Sequence, residues 1–194
     1  MKYIGARITA GLPVLLSGLL VLLAAQWLWP GPALAAPASS YDPARLRQVL
    51  LNIHGYDKLA LEAASTNVSE ILMSLAGDPN EAMVVRRQAI KGLRLYPEDG
   101  VMNFIEQEAP SAPRSLKRLY LSSLSGFAAS HPARVSALVA ASLEDADASV
   151  RMDAVRLSDQ LGATPQVKSL LQSRFSREPD AGLRAEIQRR LNAP

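Results

Sequence analysis

The feature that most restricts what this chain can fold into is a pattern it rewrites at intervals. Asp145-Ala146-Asp147-Ala148-Ser149-Val150-Arg151-Met152-Asp153-Ala154 reads as an acidic turn entering a helix. Capping-type residues come first, then a β-branched apolar residue, an Arg, and an Ala three residues later. Leu183-Arg184-Ala185 follows Glu178-Pro179-Asp180 in the same register. Val85-Arg86-Arg87-Gln88-Ala89 follows Asp78-Pro79-Asn80, and Leu116-Lys117-Arg118-Leu119 follows Pro113 as a degenerate copy. With the apolar residue before the base as marker, positions 85, 116, 150 and 183 lie 31, 34 and 33 residues apart. A helical unit repeated at this period is the signature of a solenoid.

The segments between markers fit that reading. Asp42-Pro43 predicts an N-cap and first helical residue opening a helix to about His54, with Leu46, Val49, Leu50 and Ile53 at helical spacing. Helices are then expected over 56–64 and from an Asn67 cap to Leu75. From there two kinds alternate. The marker-bearing kind is predicted over 81–95, 112–128, 147–161 and 180–192, and a shorter kind over 98–108, 132–143 and 165–175. Pro97, Pro110, Pro132, Gly162, Pro165 and Pro179 set the breaks. No stretch alternates apolar with polar as a half-buried strand would, so the fold class is all-α. Each helix is too short to stand alone and must bury its stripe on neighbours. In the shorter kind these stripes are Val101/Met102/Phe104/Ile105, Val135/Leu138/Val139/Leu143 and Val167/Leu170/Leu171/Phe175.

The Asp-x-Asp-x-x-Val-Arg-x-x-Ala core at 145–154 resembles a HEAT repeat of the short type, and the copies at 78–93, 111–127 and 178–191 are similar to it. The resemblance covers about residues 66 to 192. It implies a right-handed α-solenoid of stacked helical hairpins, armadillo-like in outline. It also implies that turn Asp and helix Arg bond between adjacent repeats, which makes Asp78, Arg86, Asp145, Asp147, Arg151, Asp180 and Arg184 a structural ladder. Lys117 without a preceding Asp departs from the pattern and is expected to leave a gap there.

The N-terminus carries a different message. Lys2 and Arg7 precede an almost wholly apolar stretch, Leu12 to Trp29, then Pro30, Pro32 and the small-x-small run Ala33-Leu34-Ala35. These features predict a cleavable signal peptide over 1–35, a flexible leader over 36–42 and a helical domain over 43–194. A retained anchor is the alternative, since Leu12–Trp29 is 18 residues long, near the lower limit for a membrane span. Without the first 35 residues the balance is 19 basic against 18 acidic residues. Such a balance lacks the excess positive field expected of a nucleic-acid binder. The absence of Cys removes disulfides, thiolate metal sites and a cysteine nucleophile, and suits an oxidising compartment. A bacterial periplasm or secretion is the expected location.

Catalytic sets are not legible. His54 and His131 are the only histidines and read as residues at helix ends; no zinc-type His pair exists. Acidic residues sit in turns, where capping explains them, and no Gly-rich phosphate loop or nucleophile elbow occurs. Neither a cofactor nor a metal is expected. Basic clusters at Arg86-Arg87, Arg114/Lys117/Arg118 and Arg184/Arg189/Arg190 read as solvated faces and ladder partners. Surface remains, and in solenoids one helix series usually supplies the binding face. The shorter helices offer Asn103, Glu106, Gln107, Arg134, Gln166, Lys168 and Gln172 for a protein or peptide partner. The expected function is therefore a non-enzymatic interaction or scaffold module. The alternatives are a HEAT-like lyase or cofactor-modifying enzyme drawing on Tyr120 and His131, and a membrane-tethered scaffold.

Overall fold

A computed structural model describes residues 42–52 and 55–192. The signal and leader expectations over 1–41, and His54, lie outside these residues. The described chain is all-helical, without a strand. Its α-helices are α1 (Pro43–Leu50), α2 (Lys58–Ala64), α3 (Val68–Gly77), α4 (Met83–Leu93) and α5 (Asp99–Glu108). There follow α6 (Arg114–Ser123), α7 (Pro132–Leu143), α8 (Ala148–Leu157), α9 (Pro165–Phe175) and α10 (Ala181–Leu191).

The helices begin where short polar side chains satisfy free backbone amides. Asp42 accepts from the Arg45 amide at 2.9 Å with Pro43 at the first helical position, and Asp57 accepts from Ala60 at 2.8 Å. Asp147 takes the Ser149 amide at 2.8 Å, Thr164 the Val167 amide at 3.3 Å, and Asp180 the Leu183 amide at 2.8 Å. Asn67 stands at the N-cap of α3 but its side chain makes no capping bond. Two marker helices are shorter than their apolar pattern implies. The chain tightens into 3-10 turns over Leu124–Gly126 and Ser158–Leu161, because i→i+3 bonds can close a final turn. The first helix stops at Leu50, short of the expected His54.

Contacts between helices run along two rows. In one row the marker helices touch in succession, α4 on α6, α6 on α8 and α8 on α10. In the other, α3 touches α5 and α7 touches α9. The rows join where α3 packs on α4, α7 on α8 and α9 on α10. Between them lies one aliphatic core that includes Leu72, Ile90, Leu93, Met102, Ile105, Leu116, Val135, Val150, Val155 and Ile187. Of the expected stripes, Val101, Met102, Ile105, Val135, Val139, Leu143, Val167 and Leu171 are buried, while Phe104, Leu138, Leu170 and Phe175 are half-buried at its edge. Burying an aliphatic side chain contributes about 1.5–3 kcal/mol each, which is what makes short helices persist.

The ends of α4 and α6 approach each other at backbone level. A side-chain carbon at Gly126 would collide with the Arg94 carbonyl. The Ser123 hydroxyl donates to the Ile90 carbonyl at 2.7 Å in the same joint, where it is buried. Among the described residues no helix is long and apolar enough to cross a membrane.

Candidate partner-binding surface

The marker cations explain which charges the fold consumes. Lys117 Nζ lies 2.8 Å from Asp145 Oδ2, the acid that opens the turn before α8. Arg151 does the same one step later. Its Nε and Nη2 donate to Glu178 Oε2 and Oε1 at 2.9 and 2.7 Å, and Glu178 opens the turn before α10. Arg151 Nη1 also donates to the Asp145 and Ala146 carbonyls at 2.9 Å each, tying its own turn. Arg184 repeats this on the Glu178 and Pro179 carbonyls. Arg86, behind a longer turn, reaches the Ala76 carbonyl at 3.1 Å.

This corrects the expected ladder in three respects. The gap expected at Lys117 is filled, because a long ammonium reaches forward as well as a guanidinium does. The acid facing Arg151 is Glu178, whereas Asp180 caps α10 and Asp147 caps α8. Asp78 keeps to its own turn, accepting from the Asn80 amide at 2.8 Å. Glu178 is fully buried and also receives Arg174 Nε at 2.9 Å and the Asp180 amide at 2.9 Å. Burial alone would raise its pKa, but these bonds from Arg151, the Asp180 amide and Arg174 outweigh it and hold the carboxyl at about 2. Asp145 is likewise held below its ordinary range, burial being outweighed by Lys117 and the Asp147 amide.

Charges the ladder leaves over collect elsewhere. A groove of about 590 Å3 runs over α4, α6 and α8. Helical spacing builds it, since residues three or four apart share a face. Arg87 comes from α4; Arg114, Arg118 and Ser122 from α6; Asp153, Arg156 and Leu157 from α8. Leu119, Leu121 and Leu157 give it an apolar floor, and four arginines face one aspartate. Asp153 positions two of them, accepting Arg118 Nε at 2.6 Å and lying 3.5 Å from Arg156 Nη1. The Arg118 guanidinium is held still more firmly in its charged form by its hydrogen bond to Asp153. Arg114 reaches Asp147 at 3.1 Å while staying largely exposed. Arg87 makes no ion pair or side-chain hydrogen bond among the described residues, nor do the exposed Lys91 of α4 and Arg94 just beyond its end.

The shorter helices present their expected binding residues differently. Arg134 donates to Glu106 at 2.9 and 2.6 Å and to Asn103 at 2.5 Å, with Asp99 at 3.2 Å, so α5 and α7 are laced together there. That bond from Arg134 also holds the Glu106 carboxyl below its ordinary pKa. Gln107 and Gln172 are exposed. Gln166 lines a shallow, small-residue groove between α7 and α9, whereas Lys168 lines a separate cleft with Asp159, Arg189 and Arg190. The seven residues therefore divide among an ion-pair lacing, exposed positions and two clefts.

His131 sits at the start of α7, with its Nδ1 2.7 Å from Ser130 Oγ and its Nε2 3.0 Å from Asp99 Oδ1. Tyr120 is buried against Phe104, ring centroids 6.2 Å apart, and burial pushes its phenol up to about 12. Among the described residues no group of three or more His, Asp or Glu side chains is placed to hold a metal ion.

The chain matches no protein-family model, and no curated protein or solved structure is significantly similar to it.

Proposed function

We propose that the chain is a non-enzymatic interaction module: an α-solenoid of the HEAT type that docks a protein or peptide partner in an extracytoplasmic compartment. The solenoid reading is supported by the cross-repeat pairs Lys117–Asp145 and Arg151–Glu178, equivalent bonds made one period apart. The compartment rests on the sequence of residues 1–35 and on the lack of Cys.

One observation carries the binding role. The groove over α4, α6 and α8 pools cations that the folding contacts leave wholly or partly unused, above a floor of leucines. A charged rim around an apolar floor is the anatomy of a docking site. Affinity capture with the full chain from an extracytoplasmic extract tests this. A specific partner should be retained by the wild type and released by Arg87→Glu. Capture of nothing specific, or a turnover that follows the protein through purification, would overturn the reading.

The Ser130–His131–Asp99 chain favours a hydrolytic or lyase alternative. It is weighed down by its composition: Asp99 is shared with Arg134, and Ser130 and His131 are sequence neighbours. That arrangement suits a clamp between α5 and α7. The alternative requires a turnover that Ser130→Ala and His131→Phe abolish, and the absence of such a turnover would remove it.

A further inference from the structure

Resting on that interaction reading, we infer that the occupant of the groove is an acidic, extended peptide segment with an apolar residue at its centre. The dimensions come from the row of helices. Adjacent packed helices lie about 8–10 Å apart, so a path from α4 over α6 to α8 is about 16–20 Å long. An extended chain rises about 3.3 Å per residue, so about five or six residues cover that path. The cations are supplied one helix at a time: Arg87 from α4, Arg114 and Arg118 from α6, Arg156 from α8. Carboxylates four residues apart in an extended strand share one face and are about 13 Å apart, a span that guanidinium groups on neighbouring helices can bracket. The side chain midway between them shares that face and turns toward Leu119, Leu121 and Leu157.

The lining also selects against other polyanions. It contains no aromatic side chain on which a base could stack. The chain as a whole has a net charge of only +3, little for a nucleic-acid surface. Asp153 stands on the α8 side of the groove and would oppose an unbroken phosphate backbone, while spaced carboxylates can avoid it. Arg87 is the most informative residue, because no partner in the described chain competes for it. A peptide carboxylate there forms a charge-assisted pair without breaking an existing one.

The test is fluorescence anisotropy on the full chain with a labelled peptide, Gly-Ser-Glu-Asp-Leu-Glu-Asp-Leu-Ser-Gly, in low salt. Binding should be saturable, weaken about tenfold when Arg87→Glu is combined with Arg114→Gln, and weaken again as salt rises. The same peptide with Gln and Asn in place of its acids should not bind, and replacing its leucines by Ser should weaken it. The charge reversal Arg45→Glu, at an exposed position of α1 outside the groove, should leave the affinity unchanged. No binding of the acidic peptide, indifference to the Arg87/Arg114 change, or tighter binding of a single-stranded oligonucleotide or an anionic phospholipid vesicle would overturn the inference. Its failure is separable from that of the module itself. If a captured partner is still released by Arg87→Glu although the acidic peptide does not bind, the interaction role stands and only the chemistry of the occupant falls.

Discussion

Lys117 on α6 and Asp145 before α8 stand in the same relation as Arg151 on α8 and Glu178 before α10: each cation reaches the acid six residues ahead of the next marker cation. The two pairs differ in their surroundings. Lys117 and Asp145 keep 21% and 17% of their side-chain surface exposed, whereas Arg151 and Glu178 keep 6% and 0%. That difference decides what each contributes.

Glu178→Gln should be the most damaging of the ladder changes. It leaves the Arg151 guanidinium buried without a carboxylate, and Arg174 with Glu144 alone, at a cost of about 3–5 kcal/mol. Arg151→Ala should cost less, about 2 kcal/mol, since Arg174 and the Asp180 amide still satisfy Glu178. Lys117→Met should cost below about 1 kcal/mol. Urea midpoints of the three variants check the order, and equal midpoints would rule out a graded ladder.

Acid should weaken the fold in a defined window. Glu178 is held at about 2 against an ordinary value of 4.5, so its contribution is full above pH 4.5 and is lost as pH falls toward 2. A shift of that size corresponds to about 3 kcal/mol. Asp145 and Asp147 are lowered too and add in the same direction. Denaturation at pH 7, 4 and 2.5 should show the loss in wild type and a smaller one in Glu178→Gln. Parallel losses would sever the link to this carboxylate.

Gly126→Ala should destabilise by about 1–3 kcal/mol. Its backbone lies against the Arg94 carbonyl, and the added methyl can be accommodated only by moving main chain. Gly100, in α5, has open space where a methyl would stand. Gly100→Ala should therefore be neutral or mildly stabilising by helix propensity. Thermal melts of both variants make the comparison.

Export is the remaining expectation. Protein recovered from the producing cell should begin at Ala36 in the soluble extracytoplasmic fraction, because the small-x-small run ends at Ala35. Amino-terminal sequencing that returned Met1 from a membrane fraction would instead favour the tethered scaffold.

Helices were the legible part of the sequence. Pro132, Pro165 and the Asp147 and Asp180 caps placed helix starts to within a residue or two, because those residues act locally. Partner choice along the ladder was less legible. Nothing in the spacing says that Arg151 takes a Glu 27 residues ahead over an Asp four residues behind it. That preference comes from burial, which only the packed helices create. The groove was hidden for a related reason. Arg86 and Arg87 are neighbours in the chain, yet one is half-buried and spent on the Ala76 carbonyl while the other stands exposed over the groove. A signal did exist in the i, i+4 spacing of Arg87/Lys91 and of Arg114/Arg118, on sides opposite the apolar stripes.

Arg86 has the marker position, but Ser111 stands where Asp145 and Glu178 stand for the cations that follow. The joint between α4 and α6 is instead held by Ser123 on the Ile90 carbonyl and by Gly126 against Arg94, neither of which titrates. Fastening between successive marker helices thus changes in kind: neutral between α4 and α6, ionic from α6 to α10. Protons and salt act on only one of these, so a medium well below pH 4.5 would loosen the carboxy-terminal helices while the α4–α6 joint stayed shut. The groove straddles that boundary, with Arg87 on the side that holds and Arg156 on the side that yields. A segment lying across it would be gripped at both ends near neutrality and at one end in acid, which turns a difference in fastening into a means of letting go.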